Sequence, residues 1–278
     1  MIKFNQKKLR EVGDVGLLVK FGSGVALCIL LIPVLIVVLT GLNSGDHLTF
    51  PPEGFSTRWI IAFFESDEFL NAFLFSFGLA LIVMVVSTIL GTMAAIFITR
   101  FNFPGINILR AIFLSPLILP GIVLGLALYL FYISSGWGLS RTYLGMVIAH
   151  VLVTMPYVIG TVSAALFNFD VNLEQAARSL GASPLTAFRK VTLPNVSNGV
   201  MAGSVFAFIV SFGQFDVSLF MATPNNTPLP IALYWSLRYT FEPTAAAAGI
   251  FAIFLVVTSM LITSKLVNLK KFSGVKFN

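Results

Sequence analysis

Two polar side chains lie in long apolar stretches, where a hydrogen-bonding group or a charge needs a physical reason. Asp216 lies 20 residues past the start of the apolar run that begins near residue 196, and His150 lies within an earlier run. A carboxylate at the centre of a bilayer costs roughly 2.5–3.5 kcal/mol on insertion scales, so it usually faces a cavity or a partner. Asp216 therefore predicts a ligand or gate group for a cation in the outer half of the membrane, with Ser211 and Gln214 on nearby turns. An interfacial acid at a helix end is the alternative.

Other polar and aromatic residues allow two interpretations each. His150 has no partner in sequence, so a structural hydrogen bond is favoured over a ligand or a proton relay. Three aromatic residues at the end of one apolar stretch either anchor the chain at the membrane interface or form a cage for an ammonium group; they are Tyr129, Tyr132 and Trp137. Trp235 and Arg238 either meet a receptor protein or lie at the lipid headgroups.

Two chemistries are not expected of this chain. It contains no Gly-x-x-x-x-Gly-Lys-Ser/Thr and no Gly-Lys pair, so the phosphate-binding loop of an ATPase is missing. The single cysteine, Cys28, excludes an intrachain disulfide and most cysteine-based metal sites. We therefore expect no catalytic residue, no metal site and no cofactor on this chain, and any energy source must be another chain.

Composition indicates a membrane protein. Of 278 residues, 57% are hydrophobic, 28 are Phe and only 10% are charged. Soluble domains normally carry about a quarter charged residues. The net charge of +6 and the pI near 9.6 would indicate nucleic-acid binding in a soluble domain. Here their meaning depends on where the basic residues lie.

Six stretches are apolar over about the 20 residues that a helix needs to cross a bilayer. They lie at about 21–42, 70–98, 107–133, 144–167, 196–221 and 245–267. The first is too long for a secretory signal and no A-x-A-like site follows it, so we expect a retained span. The expected organisation is a segment 1–20, a transmembrane domain 21–267 and a tail 268–278.

Basic residues are concentrated on one side of this six-span arrangement. Fourteen Lys and Arg lie on the side that holds both termini, against three on the other side. Basic loops remain in the cytoplasm, so both termini are expected there and nucleic-acid binding is disfavoured. The three are Arg58, Arg141 and Arg238, and the fourteen are Lys3, Lys7, Lys8, Arg10, Lys20, Arg100, Arg110, Arg178, Arg189, Lys190, Lys265, Lys270, Lys271 and Lys276.

The first outer segment mixes aromatic and acidic residues. WIIAFFESDEFLNAF suits an amphipathic helix at the outer interface, with Trp59 at headgroup level. Its acidic residues are Glu65, Asp67 and Glu68. An ordered connecting loop is the equally weighted alternative.

Prolines and glycines mark candidate helix breaks in three spans. Transport folds interrupt helices where a solute is bound, because freed backbone groups then line a polar cavity. Proline kinks without function are also common, so the group carries more weight than any member. The candidates are Pro116, Pro120, Gly121 and Gly125 in span three, Pro156 in span four, and the SFGQFD stretch in span five.

A polar stretch between spans four and five, at about 170–194, predicts a helical hairpin. Asp170 or Asn172 can cap its first helix, with Gln175 three residues after Asn172 as in a capping box. That helix is expected to run to about Leu180, where Gly181 supplies the left-handed residue that ends it.

The second helix of the hairpin is expected to start at Pro184, with Ser183 as its cap. It is expected to end near Lys190, before Leu193 and Pro194 reset the chain. The turn between the helices forms a small flat surface that either enters another protein's groove or packs as a lid on the chain's own helices. This surface consists of Ala176, Ala177, Leu180 and Gly181.

The hairpin resembles the cytoplasmic signature of type I ABC importer permeases: E-A-A, three residues, Gly, nine residues, then I-x-L-P. This chain has QAA, RSL, Gly181, ASPLTAFRK and VTLP at the same spacing. Gln175 stands where the signature has Glu, with Glu174 one residue earlier, and Val191 replaces Ile. The segments that start at Phe101, MPYVIGTV and SFGQFDVS are similar to the polyamine, opine and phosphonate branch of this family.

The resemblance implies an all-α integral membrane protein with six transmembrane helices and the MetI-like permease fold, in a bacterial plasma (inner) membrane. It implies that the hairpin is a coupling helix docked on a dimeric ATPase subunit, which would bind ATP and Mg²⁺. A second permease, first expected as a different chain, and an extracytoplasmic solute-binding protein are the other implied partners, with membrane lipid around them. The residues implied in coupling are Glu174, Gln175, Ala176, Ala177, Leu180, Gly181, Ala182, Ser183, Pro184, Val191, Leu193 and Pro194.

We therefore expect a permease that imports a small polar solute by alternating access, with a polyamine such as spermidine or putrescine preferred over a phosphonate or an opine. An ion-coupled secondary transporter would need more intramembrane ligands than one acid and one histidine, and it leaves the hairpin unexplained. A membrane scaffold would need no ATPase. The residues expected along the solute path are Ser211, Gln214, Asp216, Tyr129, Tyr132 and Trp235.

Overall fold

The computed structural model describes residues 6–266 of the chain. The first five residues and the tail expected at 268–278 lie outside the described residues. The described part forms helices and two isolated β-bridges. The helices are α1 (Gln6–Gly41), α2 (Arg58–Glu65), α3 (Asp67–Arg100), α4 (Ile106–Leu114), α5 (Gly121–Ser135), α6 (Tyr143–Phe167), α7 (Val171–Ser179), α8 (Pro184–Ala187), α9 (Leu193–Phe212), α10 (Ser218–Met221), α11 (Leu229–Tyr239) and α12 (Thr244–Leu266).

Five stretches of helix are long and apolar enough to span a membrane, namely Val19–Gly41, Asp67–Arg100, Tyr143–Phe167, Pro184–Phe212 and Thr244–Lys265. A sixth span is counted if the bent pair α4 and α5 is taken together. The all-α membrane fold is therefore confirmed. The first helix starts at Gln6, well before the apolar stretch, so the expected segment 1–20 is helical from that residue.

The third expected span, 107–133, is not one helix. A 3₁₀ turn at Ser115–Leu117 follows α4, and the chain bends by 104° before α5. Pro116 lies in that turn and Pro120 is the residue before α5. A proline has no N–H and excludes the preceding turn sterically, so two prolines four residues apart interrupt the helix here.

The break expected at Pro156 is wrong, because α6 continues through this residue. Pro156 is buried, as are Thr154 and Val158 beside it. Neighbouring helices hold a membrane helix together where a single proline removes one hydrogen bond. One proline inside a packed 25-residue helix is therefore tolerated, whereas the spaced pair in span three is not.

The described residues form two compact units. One holds the chain up to Glu65 together with Thr240–Ile253. Here Phe63 stacks on Phe251 with ring centroids 4.6 Å apart. The connection after α1 is organised around Asn43, whose fully buried side chain accepts from the N–H groups of Gly45 and Glu53 and donates to the His47 carbonyl.

The other unit holds Ser66–Tyr239 together with the chain from Phe254, and its core is the packing of α3, α6 and α9. Small residues let these helices approach closely, as is usual between membrane helices. A Cβ added at Gly199 of α9 would lie 2.8 Å from the Thr161 carbonyl oxygen of α6. Between the helices the core is aliphatic and includes Ala95, Val158, Ile159, Val162, Val196 and Ala207.

The amphipathic helix expected across Trp59 to Phe73 is divided in two. Helix α2 ends at Glu65, and the Ser66 hydroxyl then accepts from the Phe69 N–H to cap α3. Asp67 and Glu68 occupy the first turn of α3, where the helix dipole favours acidic groups. The Trp59 indole N–H donates to the Gly45 carbonyl at 3.1 Å, so its hydrogen bond is made within the protein.

Candidate functional site: a hairpin and two facing helix breaks

The hairpin starts as the sequence predicts. Asp170 caps α7 by accepting from the Asn172 N–H at 3.0 Å, which settles the choice between these two caps. Gly181 has a φ of +91°, and its N–H donates to the Arg178 carbonyl at 3.0 Å. This is the left-handed conformation that glycine adopts more readily than other residues.

The second half of the hairpin starts as predicted but does not end near Lys190. Ser183 accepts from the Thr186 N–H and Pro184 is the first residue of α8. The chain then passes through a π turn, Phe188–Thr192, and continues directly as α9. Pro194 cannot donate a backbone hydrogen bond, and the wider turn before it accommodates that loss. The hairpin is thus continuous with a membrane-spanning helix.

The tip of the hairpin is an exposed apolar surface. Leu180 is 90% exposed, and Leu185 on α8 is also exposed. Ala176 and Gly181 beside them are exposed as well. A lid packed on the chain's own helices would bury Leu180, so the structure favours an open surface. Single exposed apolar residues are common, but several on one protruding turn are typical of a docking site.

Glu174 faces inward, whereas the neighbouring Gln175 is exposed. Both carboxylate oxygens of Glu174 accept from the Arg100 guanidinium, at 3.1 and 2.7 Å. The Thr192 hydroxyl donates to the same carboxylate at 2.5 Å. The Arg100 hydrogen bonds hold the pKa of the Glu174 carboxyl below its ordinary value, against burial, which raises it, and Thr192 reinforces the lowering.

The interruptions of spans three and five lie against each other. The fifth span, expected to run to 221, ends as helix at Phe212, and the chain is non-helical until α10 starts at Ser218. A Cβ added at Gly121, the first residue of α5, would overlap the Asp216 carboxylate. A Cβ at Gly125 would lie 2.9 Å from the Asp216 carbonyl oxygen. Glycine is thus needed at both positions for the two breaks to meet.

Asp216 consequently does not lie within a helix. It is half-buried in the connection between α9 and α10, and the described residues provide it with no ion-pair partner. The break predicted in the SFGQFD stretch is present, because the helix stops at Phe212. A depth counted along an unbroken helix therefore does not apply to Asp216. Two helix breaks beside a carboxylate form the kind of site at which transport proteins bind solutes and ions.

A buried polar network holds the second break in place. The Ser218 hydroxyl donates to the Gln214 carbonyl at 2.6 Å, so it accepts from His150 Nε2 at 2.9 Å. The other ring nitrogen, Nδ1, then accepts from the Ser211 hydroxyl at 3.0 Å. His150 is fully buried and hydrogen-bonded at both ring nitrogens, which is the structural role that the sequence favoured. Ser211 belongs to this network, not to an open solute path.

The three aromatic residues considered for an ammonium cage each make a different contact. Tyr132 is buried and its hydroxyl donates to the Gly145 carbonyl at 3.2 Å. Tyr129 lies under the Arg141 guanidinium, 5.4 Å from ring centroid to Cζ. Trp137 packs edge-on against Phe131. They therefore form no shared cage.

Trp235 lies at a different site. It belongs to α11, where an outer loop was expected. It lines a cavity of about 430 Å³ together with Asp67, Glu68 and Asn71, and Asp216 does not line this cavity. Trp235 and Asp216 therefore do not share this cavity, although their sequence neighbours Tyr234 and Phe215 pack with ring centroids 5.3 Å apart.

Three residues of these arrangements were not predicted as site residues: Arg100, Thr192 and Ser218. Ser211 and Ser218 lie on opposite sides of the break between α9 and α10, so no helical spacing in the sequence pairs them. Arg100 is the last residue of its span, and 74 residues separate it from Glu174. No local pattern connects the two.

Comparisons with known proteins agree with this arrangement. Residues 87–272 match the family described as "Binding-protein-dependent transport system inner membrane component". The putrescine transport system permease PotI of Escherichia coli K12 is 32% identical over 76% of each chain. The spermidine/putrescine permease PotC of the same strain is 28% identical over 88% of this chain and 91% of its own.

Other similar proteins have different substrates or show the fold alone. Chloroplastic sulfate permease 2 of Chlamydomonas reinhardtii is 32% identical over 68% of this chain and 55% of its own. In the crystal structure of a bacterial ABC transporter that imports alginate, one chain superposes with a TM-score of 0.69 at 14% identity, covering 95% of this chain and 99% of that one. The MetNI methionine transporter gives a TM-score of 0.55 at 18% identity over 76% and 96%.

The matched segment contains both the hairpin and the facing breaks, and the fold is shared with solved ABC transporters. The chain therefore belongs to the family of inner membrane components of binding-protein-dependent transport systems, and it is a permease component of an ABC importer.

Proposed function

We propose that this permease imports a polyamine or a similar small organic cation by alternating access, with both termini in the cytoplasm. The orientation is supported by the fourteen-to-three distribution of basic residues. In this orientation the hairpin projects into the cytoplasm and the contact between the two helix breaks lies deeper in the membrane domain.

The exposed Leu180 surface supports an ATPase subunit as the partner of the hairpin. A protruding turn continuous with α9 transmits force better than a flexible loop, because α9 packs in the core of the bundle. Nucleotide and Mg²⁺ would be bound by that ATPase. A second permease, first expected as a different chain, and a solute-binding protein complete the proposed assembly. The alginate transporter, crystallised with its periplasmic protein, supports the solute-binding partner.

The substrate proposal depends on Asp216. A half-buried carboxylate beside two helix breaks, without an ion-pair partner in the described part of the chain, favours a cation over an anion. The similarity to PotI and PotC supports a polyamine. The sulfate permease has the same identity as PotI over a shorter match, so sequence identity alone does not distinguish a cation from an anion.

Uptake of radiolabelled putrescine by cells that carry Asp216→Asn tests the substrate proposal. Loss of one charged hydrogen bond, worth about 1.5–3 kcal/mol, lowers uptake about tenfold or more. Asp46→Asn is the matched control. Asp46 is an exposed acid in the connection after α1, where it pairs with Arg58 of α2. If Asp216→Asn takes up putrescine as fast as the wild type, Asp216 has no role in transport. If the wild type takes up sulfate but no putrescine, the proposal of a cationic substrate is wrong.

A further inference from the structure

One carboxylate connects three elements at the hairpin end of the helix bundle. Glu174 lies on α7, Arg100 is the last residue of α3, and Thr192 belongs to the π turn that leads into α9. Arg100 Nη2 is 2.7 Å from Glu174 Oε2 and 3.3 Å from the Thr192 hydroxyl. Each of the three side chains therefore contacts the other two.

The geometry is that of a strong ion pair. Both arms of the guanidinium donate to the two oxygens of the carboxylate, a planar arrangement that fixes orientation as well as distance. The side chains of Arg100 and Glu174 are 29% and 14% exposed. In the pair Arg58–Asp46 the corresponding values are 55% and 69%, so solvent screens the Arg100–Glu174 pair much less.

The Arg100–Glu174 pair also lies between the hairpin and the membrane helices, so motion of the hairpin would be transmitted through it. Helix α7 contacts the rest of the bundle at the π turn, and its opposite face carries the exposed apolar surface. A further contact continues inward from α3: Arg110 of α4 donates to the Ile98 carbonyl at 2.7 Å. Helix α4 leads directly to the break at Pro116 and Pro120.

We propose that Arg100, Glu174 and Thr192 form a rigid link that makes the hairpin, α3 and α9 move as one body during transport. This inference builds on the proposed docking of the hairpin on an ATPase. It assigns Glu174 a positioning role inside the chain and leaves the adjacent, exposed Gln175 to face the partner. The acidic residue lies one position earlier than in the family signature, and as a result it pairs with Arg100 inside the chain.

Distances between two spin labels on the purified importer complex test the link without knowledge of the solute. In a Cys28→Ser background, Ser179→Cys labels the end of α7 and Leu74→Cys labels α3. The 26 residues from Leu74 to Arg100 give a helix length of about 39 Å, a range that pulsed spin-label measurements cover. The wild-type link predicts one narrow distance distribution that is the same without nucleotide and with vanadate-trapped ATP.

Glu174→Gln should broaden this distance distribution, and its mean should shift by several ångströms when ATP is trapped with vanadate. The charge-reversed pair Arg100→Glu with Glu174→Arg should restore the narrow distribution, which a role in folding alone would not require. Asp46→Asn, the exposed ion-pair control, should leave it unchanged. A narrow distribution in Glu174→Gln, or a broad one in the wild type, overturns the link. A wild-type chain that retains no ATPase refutes the proposed docking instead.

Discussion

Gly181 is the residue whose replacement tests the hairpin most selectively. A Cβ added there meets no atom within 4 Å, so a side chain would cause no clash. The entire penalty comes from the backbone, whose φ of +91° lies beyond the left-handed region that other residues tolerate. A side chain in this region costs about 1–2 kcal/mol, and a β-branched one costs the most.

This magnitude predicts a specific loss. A penalty of 1–2 kcal/mol lowers the population of the intact turn by about 5- to 30-fold relative to alternatives without it. The turn is held by the Gly181 N–H to the Arg178 carbonyl and the Ala182 N–H to the Ala177 carbonyl, and both bonds are lost when φ relaxes. Gly181→Val should therefore lower solute uptake at least about fivefold, while the protein still inserts and its unfolding temperature falls by only a few degrees.

A graded series of variants separates backbone strain from side-chain bulk. Asn tolerates a positive φ better than Ala or Val, so uptake should fall in the order Gly, Asn, Ala, Val. Gly22→Val is the matched control, because Gly22 also has open space around it but lies within α1 at a negative φ. Backbone strain at Gly181 is not the cause if Gly181→Val transports as well as the wild type, or if Gly181→Asn is as defective as Gly181→Val.

Two further predictions concern stability. His150→Ala removes the imidazole that hydrogen-bonds the buried Ser211 and Ser218 hydroxyls and leaves a cavity, so it should cost about 2–4 kcal/mol and lower the unfolding temperature in detergent; an unchanged temperature contradicts the network. The lowered pKa of Glu174 means that its ion pair stabilises the fold fully above its ordinary value of 4.5 and loses this effect as the pH falls through the folded pKa. The stability difference between wild type and Glu174→Gln should therefore vanish in acid, and a difference independent of pH contradicts the assignment.

The local features of the hairpin could be predicted because adjacent residues determine them. Asp170, Gly181, Ser183 and Pro184 act within four residues of where they stand, through a cap, a positive φ or a missing N–H. The break at Pro116 and Pro120 is local in the same sense. Pro156 shows the limit of such reasoning, since the packing around α6 and not the residue type decided its outcome.

The contacts that define the site could not be predicted, because they join residues far apart in the chain. Arg100 and Glu174 have ordinary neighbours, and their pairing depends on how α3 and α7 pack. The contact between Asp216 and Gly121 likewise depends on the start of α5 packing against the chain that follows α9. Sequence patterns identified Asp216 and Gly121 separately, and only the fold brings them together.

The central claim is that the exposed tip of the hairpin docks on an ATPase. Cross-linking from Leu180→Cys in a Cys28→Ser background, carried out in the native membrane with a short bifunctional thiol reagent, tests it most directly. We expect an adduct with a chain that carries a P-loop, identified by mass spectrometry, and none from Phe55→Cys, another exposed apolar position on a different loop. If Leu180→Cys gives no ATPase adduct, either in the resting state or with vanadate-trapped ATP, the docking account is wrong.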